Sequence, residues 1–415
     1  MQTDTLIIGA GPAGWLAAIT AAGQGRSVIL CERMGKPGLK LLATGGGRCN
    51  LTHDLDVAGM MAAFGKPQTR FIRPAMHELP PQSIREFFEK LGVPTVIQED
   101  GCVFPVSQNA RDVLHALEAE AQRLGVVVKC DCPASGLIRE DQTVTGVMTP
   151  EGPLHARCVI MAAGGRSYPE LGSDGSGFKL AAETGHRITP PVPALVPLIT
   201  AEDWPAKLTG IVLPHAHIRI DQKEFSKTGK TGPLLFTHRG ISGPAVLDLS
   251  GDVAALLPQA GTVIVRVSVV ADRGREEWLK AFNEWRGSSG TRYVASFLAE
   301  HMPRALADVL CAQANAWYLP VAKARREVLG TLADLCVDLP LSVTGTEGWT
   351  LAMATHGGVA RDEVDPKTLA SRKVKGLFFA GEVMDVDGPC GGYNLTWAFA
   401  SGYLAGLRSK ENTGE

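Results

Sequence analysis

Short apolar runs separated by a segment of small residues predict a βαβ unit near the start of the chain. The runs at 5–8 (TLII) and 27–31 (SVILC) are rich in β-branched residues, and they bracket an alanine-rich segment at 13–23 that ends at a glycine. Two apolar strands joined by a helix within about 30 residues are typical of a parallel pair. The pattern therefore predicts an α/β domain built on a parallel sheet.

The same alternation continues through the first half of the chain. We expect a helix at 110–124, a strand at 126–129, a meander over 134–154 that contains a strand at 143–149, and a strand at 158–162. The pattern changes at ITPPVPALVPL (188–198), where four prolines are expected to interrupt any regular element. We interpret this segment as the exit from the first domain.

The second half predicts an insert followed by a return to the first domain. Alternating runs such as HAHIRI and TVIVRVSVV favour antiparallel strands over 198–270, and helical periodicity follows over 275–330. A strand at 376–380 and a closing helix at 394–407 return to the α/β pattern. We expect the α/β domain at 1–190 and 345–415, a β-rich insert at 191–274 and 326–344, and a helical lid subdomain at 275–325.

Composition and charge narrow the function classes. Of the 415 residues, 45% are hydrophobic and 20% are charged, as in ordinary globular proteins. The formal net charge of -2 provides no general attraction to nucleic acid or to an acidic membrane. We find no signal peptide and no apolar run near the roughly 20 residues of a membrane-spanning helix. Nine cysteines without framework spacing favour reduced thiols in the cytoplasm, with no metal site.

The motif IIGAGPAG carries the first sign of chemistry. Gly9, Gly11 and Gly14 have GxGxxG spacing between a strand and a helix, with Pro12 and Ala13 at the helix start. In such a turn the glycines allow a tight bend, close approach of a pyrophosphate and close helix packing, while the helix N-terminus attracts phosphate. Glu32, followed by Arg33, stands about 20 residues on, where an acid binds ribose hydroxyls. The pattern predicts a dinucleotide site.

Three later segments favour a flavin dinucleotide. VIMAAGG at 159–165 is a strand that ends in small residues, GLFFAGEVMD at 376–385 is a strand followed by acids that suit ribityl hydroxyls, and GPCGGYNLTWAFASG at 388–402 opens the last helix. A helix N-terminus directed at the flavin stabilises negative charge on the reduced ring. The residues assigned to the cofactor here are Ala163, Gly164, Gly381, Glu382, Asp385, Gly391, Gly392, Tyr393, Asn394 and Leu395.

The loop ATGGGRCN (43–50) is also expected to contact the cofactor. Consecutive glycines weaken regular structure and allow close backbone approach, and polar residues among them suit the pyrophosphate and the flavin ring. We assign Lys40, Thr44, Gly45, Gly46, Gly47, Arg48, Cys49 and Asn50 to this role. A redox disulfide would need a second cysteine at position 54, which is Asp54, so Cys49 is expected to pack or to line the flavin.

Histidines supply the candidates for proton transfer. His238, in LLFTHRGISGP, is the candidate general acid or base, with a turn-stabilising role as the alternative. His356, in THGGV, has the same two interpretations. The insert also holds a basic cluster, Lys223, Lys227, Lys230 and Arg239, that suits either a phosphate backbone or a solvated face.

Taken together, LIIGAGPAG, GLKLLATGGGRCNLT, LLFTHRGISGP, THGGV and GLFFAGEVMDVDGPCGGYN resemble the BaiN/YhiN-like group of NAD(P)/FAD-dependent oxidoreductases over residues 3–407. The resemblance implies an α/β fold: a Rossmann-type FAD-binding domain with an inserted, mainly antiparallel, barrel-like β domain and a small helical subdomain. Members differ in their assigned substrates. They include amine oxidases, reductases of bile-acid intermediates and a dihydrouridine synthase.

The expected function is hydride exchange between flavin N5 and a substrate bound between the FAD domain and the insert. FAD is the expected cofactor, and NAD(P)H is a candidate transient donor, since no separate nicotinamide domain is visible. A small-molecule substrate is the first expectation, with no membrane partner. The alternatives are an RNA-modifying reductase of the dihydrouridine synthase type, an amine oxidase, and a redox sensor without turnover. The sequence leaves the oligomeric state open.

Overall fold

The computed structural model describes residues 2–225, 229–288 and 291–409, and Lys227 of the basic cluster lies outside these ranges. The chain divides into two units, one formed by Met1–Val192 with Met353–Glu415 and the other by Pro193–Ala352.

The helices and strands follow one another in three stretches. The first contains β1 (Gln2–Ile8), α1 (Pro12–Gly23), β2 (Val28–Cys31), α2 (Leu39–Ala43), β3 (Thr52–His53), α3 (Val57–Ala63), α4 (Lys66–Glu78), α5 (Pro81–Lys90), β4 (Thr95–Ile97), β5 (Cys102–Pro105), α6 (Ala110–Arg123), β6 (Val127–Lys129), β7 (Gly136–Glu140), β8 (Thr143–Thr149), β9 (Gly152–Met161), α7 (Ser176–Glu183) and β10 (Ile188–Ala194). The second contains β11 (Leu198–Thr200), β12 (Val212–Ile220), β13 (Lys230–Thr237), β14 (Gly240–Ser242), α8 (Pro244–Ala260), β15 (Val263–Ser268), α9 (Arg275–Ser288), α10 (Val294–Leu298), α11 (Arg304–Gln313), α12 (Arg326–Asp338) and β16 (Leu339–Thr346). The third contains β17 (Ala354–Val359), β18 (Leu377–Phe379) and α13 (Tyr393–Arg408).

The first unit is built on a sheet with the strand order β6-β2-β1-β9-β8-β7, and β18 also pairs with β9. Strand β1 pairs in parallel with β2 and β9, while β7, β8 and β9 form the antiparallel meander expected from the sequence. Leu6 and Ile7 of β1 are fully buried, as in a parallel sheet covered on both faces. The predicted Rossmann-type fold class is confirmed.

Helices α1 and α13 of the first unit pack so closely that their backbones are in contact. An ideal Cβ at Gly402 of α13 would lie 2.2 Å from the carbonyl oxygen of Ala13, and one at Gly406 would lie 2.6 Å from that of Ala17. Side chains at these positions would force the helices apart. The small residues of α1 and α13 therefore set the position of the α1 N-terminus.

The proline-rich segment differs from the expectation. Residues Ile188–Ala194 form strand β10, which pairs with β17 in a two-stranded sheet, so the prediction that the prolines interrupt regular structure was wrong. Proline lacks an N–H donor, but a strand that pairs on one side only needs few donors. The extended backbone that proline favours is compatible with such a strand.

The second unit contains a closed barrel with the order β11-β14-β13-β12-β15-β16, which confirms the antiparallel insert. Strands β12 and β15 bury alternate residues, as the runs HAHIRI and TVIVRVSVV predicted. Helix α8 was missed within the stretch expected to be strands, although its buried residues recur at helical spacing. The β-rich insert was expected to resume at 326–344. Helix α12 occupies most of this range, and the strand β16 begins only at Leu339.

The barrel and its helices share one hydrophobic core, with Trp278, Phe282 and Phe297 packed in the same cluster as barrel residues such as Val265 and Leu341. In the described part of the chain, no helix combines the length and apolar character needed to span a bilayer. The same residues contain no group of three or more His, Cys, Asp or Glu side chains arranged to hold a metal ion.

Candidate functional site

The turn between β1 and α1 is shaped by three glycines with different roles. Gly9 has a φ of +100°, and an ideal Cβ there would lie 2.5 Å from the carbonyl oxygen of Ala162. A Cβ at Gly14 would lie 1.9 Å from the carbonyl oxygen of Gly9. Gly11, by contrast, has no heavy atom within 4 Å of its ideal Cβ. Packing therefore requires the first and third glycines, while the second faces open space.

That open space lies at the N-terminus of α1. Gly11 is the N-cap of the helix, with no side-chain hydrogen bond to the first turn, and Pro12 follows it. The first N–H groups of a helix need an outside acceptor, and the helix dipole favours an anion there. This arrangement suits a pyrophosphate.

Glu32 follows β2 beside this turn and is 8% exposed. Its Oε2 accepts a hydrogen bond from the N–H of Ala10 at 2.9 Å, and its Oε1 accepts one from the N–H of Met34 at 2.9 Å. A carboxylate oxygen can accept two hydrogen bonds, so each oxygen keeps one position for a ribose hydroxyl. The two backbone donors fix the orientation of the carboxylate.

Lys40 and Glu382 form an ion pair that lines the same space. Oε1 of Glu382 accepts hydrogen bonds from the Ser167 hydroxyl and the Thr355 N–H, both at 2.8 Å, and Nζ of Lys40 donates to Ser167 Oγ at 2.6 Å. Burial alone would raise the pKa of Glu382, but the Lys40 ammonium and these hydrogen bonds hold the pKa below its usual range. Glu382 is therefore a carboxylate, available to accept from hydroxyl groups.

The loop GSDGSG (172–177) forms another part of the wall. Arg33 and Asp174 form an ion pair between this loop and the end of β2. Burial opposes the ionisation of Asp174, but Arg33 and the N–H of Ser176 lower its pKa overall. The hydroxyl of Ser173 is buried and has no hydrogen-bond partner in the described residues. A buried hydroxyl without a partner is unusual, since its burial costs free energy.

These walls enclose a cleft of about 270 Å³ within the first unit. The residues assigned to the cofactor from sequence that line it are Gly9, Gly11, Pro12, Ala13, Glu32, Arg33, Lys40, Thr44, Ala163, Gly164, Gly381, Glu382, Asn394 and Leu395. Lining residues that the sequence did not reveal include Ala10, Lys36, Cys132, Ser173, Asp174 and Met353. Ala10 lies inside the IIGAGPAG motif and Met353 two residues before THGGV. Cys132 lies far along the chain from these motifs, so only tertiary structure brings it in.

Of the glycine-rich loop, Thr44 lines this cleft, whereas residues 45–50 lie outside the lining. Gly45, Gly46 and Gly47 have φ values of +58°, +67° and +87°, so the glycines are needed for the turn itself. The guanidinium of Arg48 lies 4.3 Å from the centre of the Phe104 ring. Cys49 is fully buried, and burial raises the pKa of its thiol to about 12. A buried, protonated thiol is a packing group and a poor nucleophile.

Asn50 connects this loop to the last helix. With its amide oriented to satisfy its neighbours, its oxygen accepts from the Gly392 N–H at 3.1 Å and its nitrogen donates to the carbonyl oxygens of Thr52 at 2.9 Å and Val103 at 3.2 Å. Gly391 and Gly392 have φ values of +117° and +92° and directly precede α13, with Gly392 as its N-cap. Asn50 therefore positions the N-terminus of α13, of which Asn394 and Leu395 reach the cleft.

Other predicted residues lie elsewhere. Tyr393 stacks on His53 with ring centres 5.2 Å apart and does not line the cleft. Asp385 accepts from the Thr189 hydroxyl at 3.3 Å and also lies outside the lining. His238 is exposed in the turn between β13 and β14 of the second unit. Nδ1 of His356 lies 3.0 Å from Oδ1 of Asp387.

Comparison with known proteins identifies relatives of the whole chain. A family model described as the HI0933-like protein Rossmann domain matches residues 3–408. A 3-dehydro-bile acid delta(4,6)-reductase of Clostridium scindens is 34% identical over 415 residues, or 98% of each chain. A ribosomal RNA dihydrouridine synthase of Escherichia coli is 30% identical over 405 residues, or 96% of each chain.

Solved structures show the same fold at low identity. A 3-ketosteroid-delta4-(5alpha)-dehydrogenase from Rhodococcus jostii RHA1 is 16% identical, with a TM-score of 0.51 over 100% of this chain and 97% of that one. A 3-ketosteroid delta1-dehydrogenase from Sterolibacterium denitrificans is 14% identical, with a TM-score of 0.52 over 99% of each chain. At this identity the likeness concerns architecture alone.

Proposed function

The chain belongs to the HI0933-like Rossmann-domain family and is an FAD-dependent oxidoreductase, and we propose on this premise that it reduces a carbon–carbon double bond conjugated with a carbonyl group, with NAD(P)H as the electron donor. The names of the two relatives support this chemistry. A delta-4 bond beside a 3-oxo group is such a unit, and so is the C5–C6 bond of uridine beside its C4 carbonyl. The proposal covers both the 3-oxo ring and the uracil ring, because each presents a carbon–carbon double bond conjugated with a carbonyl group.

The observation that carries the FAD part of the proposal is that the α1 N-terminus and Glu32 lie beside each other in one cleft. Gly11 leaves room for a pyrophosphate at the uncapped helix start, and Glu32 keeps hydrogen-bonding capacity for ribose hydroxyls. These residues fit the adenosine diphosphate portion of FAD.

Glu382 and Lys40 are suited to the middle of the cofactor. A carboxylate fixed by Ser167 and Thr355 would accept hydrogen bonds from ribityl hydroxyls, while Lys40 balances its charge. The N-terminus of α13 would favour negative charge on the flavin ring. When bound, FAD supplies the hydride at N5; the chain supplies orientation and charge.

The source of the proton that completes the reduction stays a prediction. His238 remains the sequence-based candidate, and binding of the substrate between the two units remains an expectation. His356 is the other sequence-based candidate, and Asp387 would orient its ring. Comparison of the pH profiles of the reductive step in His238→Gln and His356→Gln tests which of the two histidines supplies the proton.

The test uses the purified protein with its flavin absorbance as the signal. We expect NADH or NADPH to bleach the flavin anaerobically, and a 4-en-3-one steroid or a uridine-containing RNA to restore the colour faster than a saturated analogue does. Bleaching by an amine followed by fast reoxidation in air would favour an amine oxidase instead. Failure of every donor to reduce the flavin would favour a redox sensor, and a protein that binds no flavin would refute the proposal.

A further inference from the structure

The short segment that leads into α13 needs support from elsewhere in the chain. It has the sequence GPCGG (388–392), and Gly391 and Gly392 have φ values of +117° and +92°. Glycine allows several backbone conformations, so a peptide group between two glycines can rotate at little cost. The direction of the first turn of α13 therefore depends on contacts that hold this segment in one conformation.

Two side chains hold the peptide group between Gly391 and Gly392 at both of its ends. Nδ1 of His53 lies 3.1 Å from the carbonyl oxygen of Gly391. A carbonyl oxygen only accepts hydrogen bonds, so Nδ1 is the donor. At the other end of the same planar group, the N–H of Gly392 donates to the amide oxygen of Asn50 at 3.1 Å. Two hydrogen bonds from residues three positions apart thus fix the orientation of one peptide group.

The His53 ring is itself fixed by packing. It stacks on the Tyr393 ring, with centres 5.2 Å apart and an angle of 19° between the planes. The Phe64 ring meets the Tyr393 ring edge-on, with centres 6.2 Å apart. Gly101 leaves room for the imidazole, because an ideal Cβ there would lie 2.5 Å from Nε2 of His53. The imidazole is therefore held where its Nδ1 meets the Gly391 carbonyl oxygen.

The adjacent residue Thr52 extends these contacts into the first turn of α13. Its hydroxyl lies 2.8 Å from that of Thr396, and both residues are fully buried. Asn394 and Leu395 of the same turn line the cleft. The orientation of the 391–392 peptide group therefore bears directly on the part of the helix that borders the cleft.

We propose that His53 is a positioning residue, which holds the 391–392 peptide group so that the N–H groups at the start of α13 point into the cleft and stabilise negative charge on the reduced flavin. The inference rests on the proposed function, because it takes the flavin ring to lie at this end of the cleft. The effect of a helix N-terminus falls off within one turn, so a change in the direction of that turn weakens it. A role in packing alone would need the ring of His53 and not its donor nitrogen.

The experiment measures the two-electron reduction potential of the flavin in the full-length, FAD-loaded protein, by equilibration with a reference dye. His53→Phe keeps a flat ring for Tyr393 and removes the donor. We expect the ratio of reduced to oxidised flavin at a fixed potential to fall about 2- to 5-fold, the effect of a helix N-terminus on a nearby charge. This corresponds to a shift of about 9–21 mV to more negative values. His53→Asn should retain the wild-type potential, since an asparagine amide also donates a hydrogen bond.

The matched control is His155→Phe, which changes an exposed histidine of the first unit outside the cleft lining and should leave the potential unchanged. A wild-type potential in His53→Phe would overturn the inference, and an equal shift in His53→Asn would overturn it by assigning the effect to the ring. If His53→Phe does not retain FAD, His53→Ala decides in the same way, because it removes the donor without adding volume.

The outcome is separable from that of the proposed function. Enone reduction by the wild type together with an unshifted potential in His53→Phe would overturn the inference and leave the proposed function standing. A shifted potential in His53→Phe, in a protein that reduces no enone, would support the inference and refute the proposed function.

Discussion

A single methyl group at Gly11 tests the placement of the cofactor without disturbing the fold. Gly11 has φ and ψ of -81° and -177°, which any residue adopts, and its ideal Cβ meets no heavy atom within 4 Å. Gly11→Ala should therefore fold normally. The added methyl would project into the space that the pyrophosphate needs.

The expected effect follows from linkage between binding and folding. FAD at 100 times its dissociation constant stabilises the folded state by about 2.7 kcal/mol. For a domain of this size, this raises the midpoint of thermal unfolding by about 5–11 °C. An overpacked methyl costs about 1–3 kcal/mol of affinity, which leaves about 0.3–1.8 kcal/mol of stabilisation at the same FAD concentration.

The assay is thermal unfolding of the apoprotein with and without FAD, together with flavin retained after gel filtration. The matched control is Gly23→Ala at the last residue of the same helix, which is exposed and also has open space around its ideal Cβ. The control should keep the full FAD-dependent shift. A full shift in Gly11→Ala would refute the placement of the pyrophosphate at this helix.

Three further outcomes are expected. Gly14→Ala should destabilise the apoprotein by about 1–3 kcal/mol in chemical denaturation, because its Cβ would lie 1.9 Å from the Gly9 carbonyl oxygen; unchanged stability would contradict that contact. The lowered pKa of Glu382 means that its ionisation stabilises the fold above the ordinary carboxyl range and that this contribution is lost as the pH falls through the lowered pKa. Wild type should thus lose more stability than Glu382→Gln from about pH 5 downward, and parallel acid unfolding curves would argue against the ion pair with Lys40. Because burial raises the pKa of Cys49 to about 12, its thiol should resist alkylation in the folded protein, as read by peptide mass spectrometry, and Cys49→Ala should keep its activity; loss of turnover would restore a catalytic role.

Local patterns revealed the parts of the site that a short segment builds by itself. The turn at Gly9–Gly14 and the acid Glu32 belong to one βαβ unit, so their spacing along the chain sets their spacing in space. Helix α8 was missed because the expectation of strands extended over a stretch whose apolar residues recur at helical spacing. Strand β10 was missed because its prolines were expected to interrupt regular structure.

The remainder of the site depends on contacts between distant segments. Glu382 is contacted by Ser167, Thr355 and Lys40, which come from separate parts of the chain. No sequence motif predicts that Ser173 lines the cleft. Contact between the glycine-rich loop and the cofactor stays a prediction. Its positive φ values and the hydrogen bond that the Gly392 N–H donates to Asn50 already account for part of its composition. The sequence shows that glycines and Asn50 are grouped in this loop. Only the structure shows that the backbone conformation and a hydrogen bond require them.

Strand β10 also bears on how the protein avoids unwanted assembly. It pairs with β17 in a sheet of two strands, and Pro190, Pro191 and Pro193 remove three of its backbone donors. An open strand edge normally offers a row of donors and acceptors to which another chain can add a strand. Strand β10 offers an interrupted row of backbone donors. The prolines that led to the strand being missed in the sequence therefore also disfavour edge-to-edge aggregation.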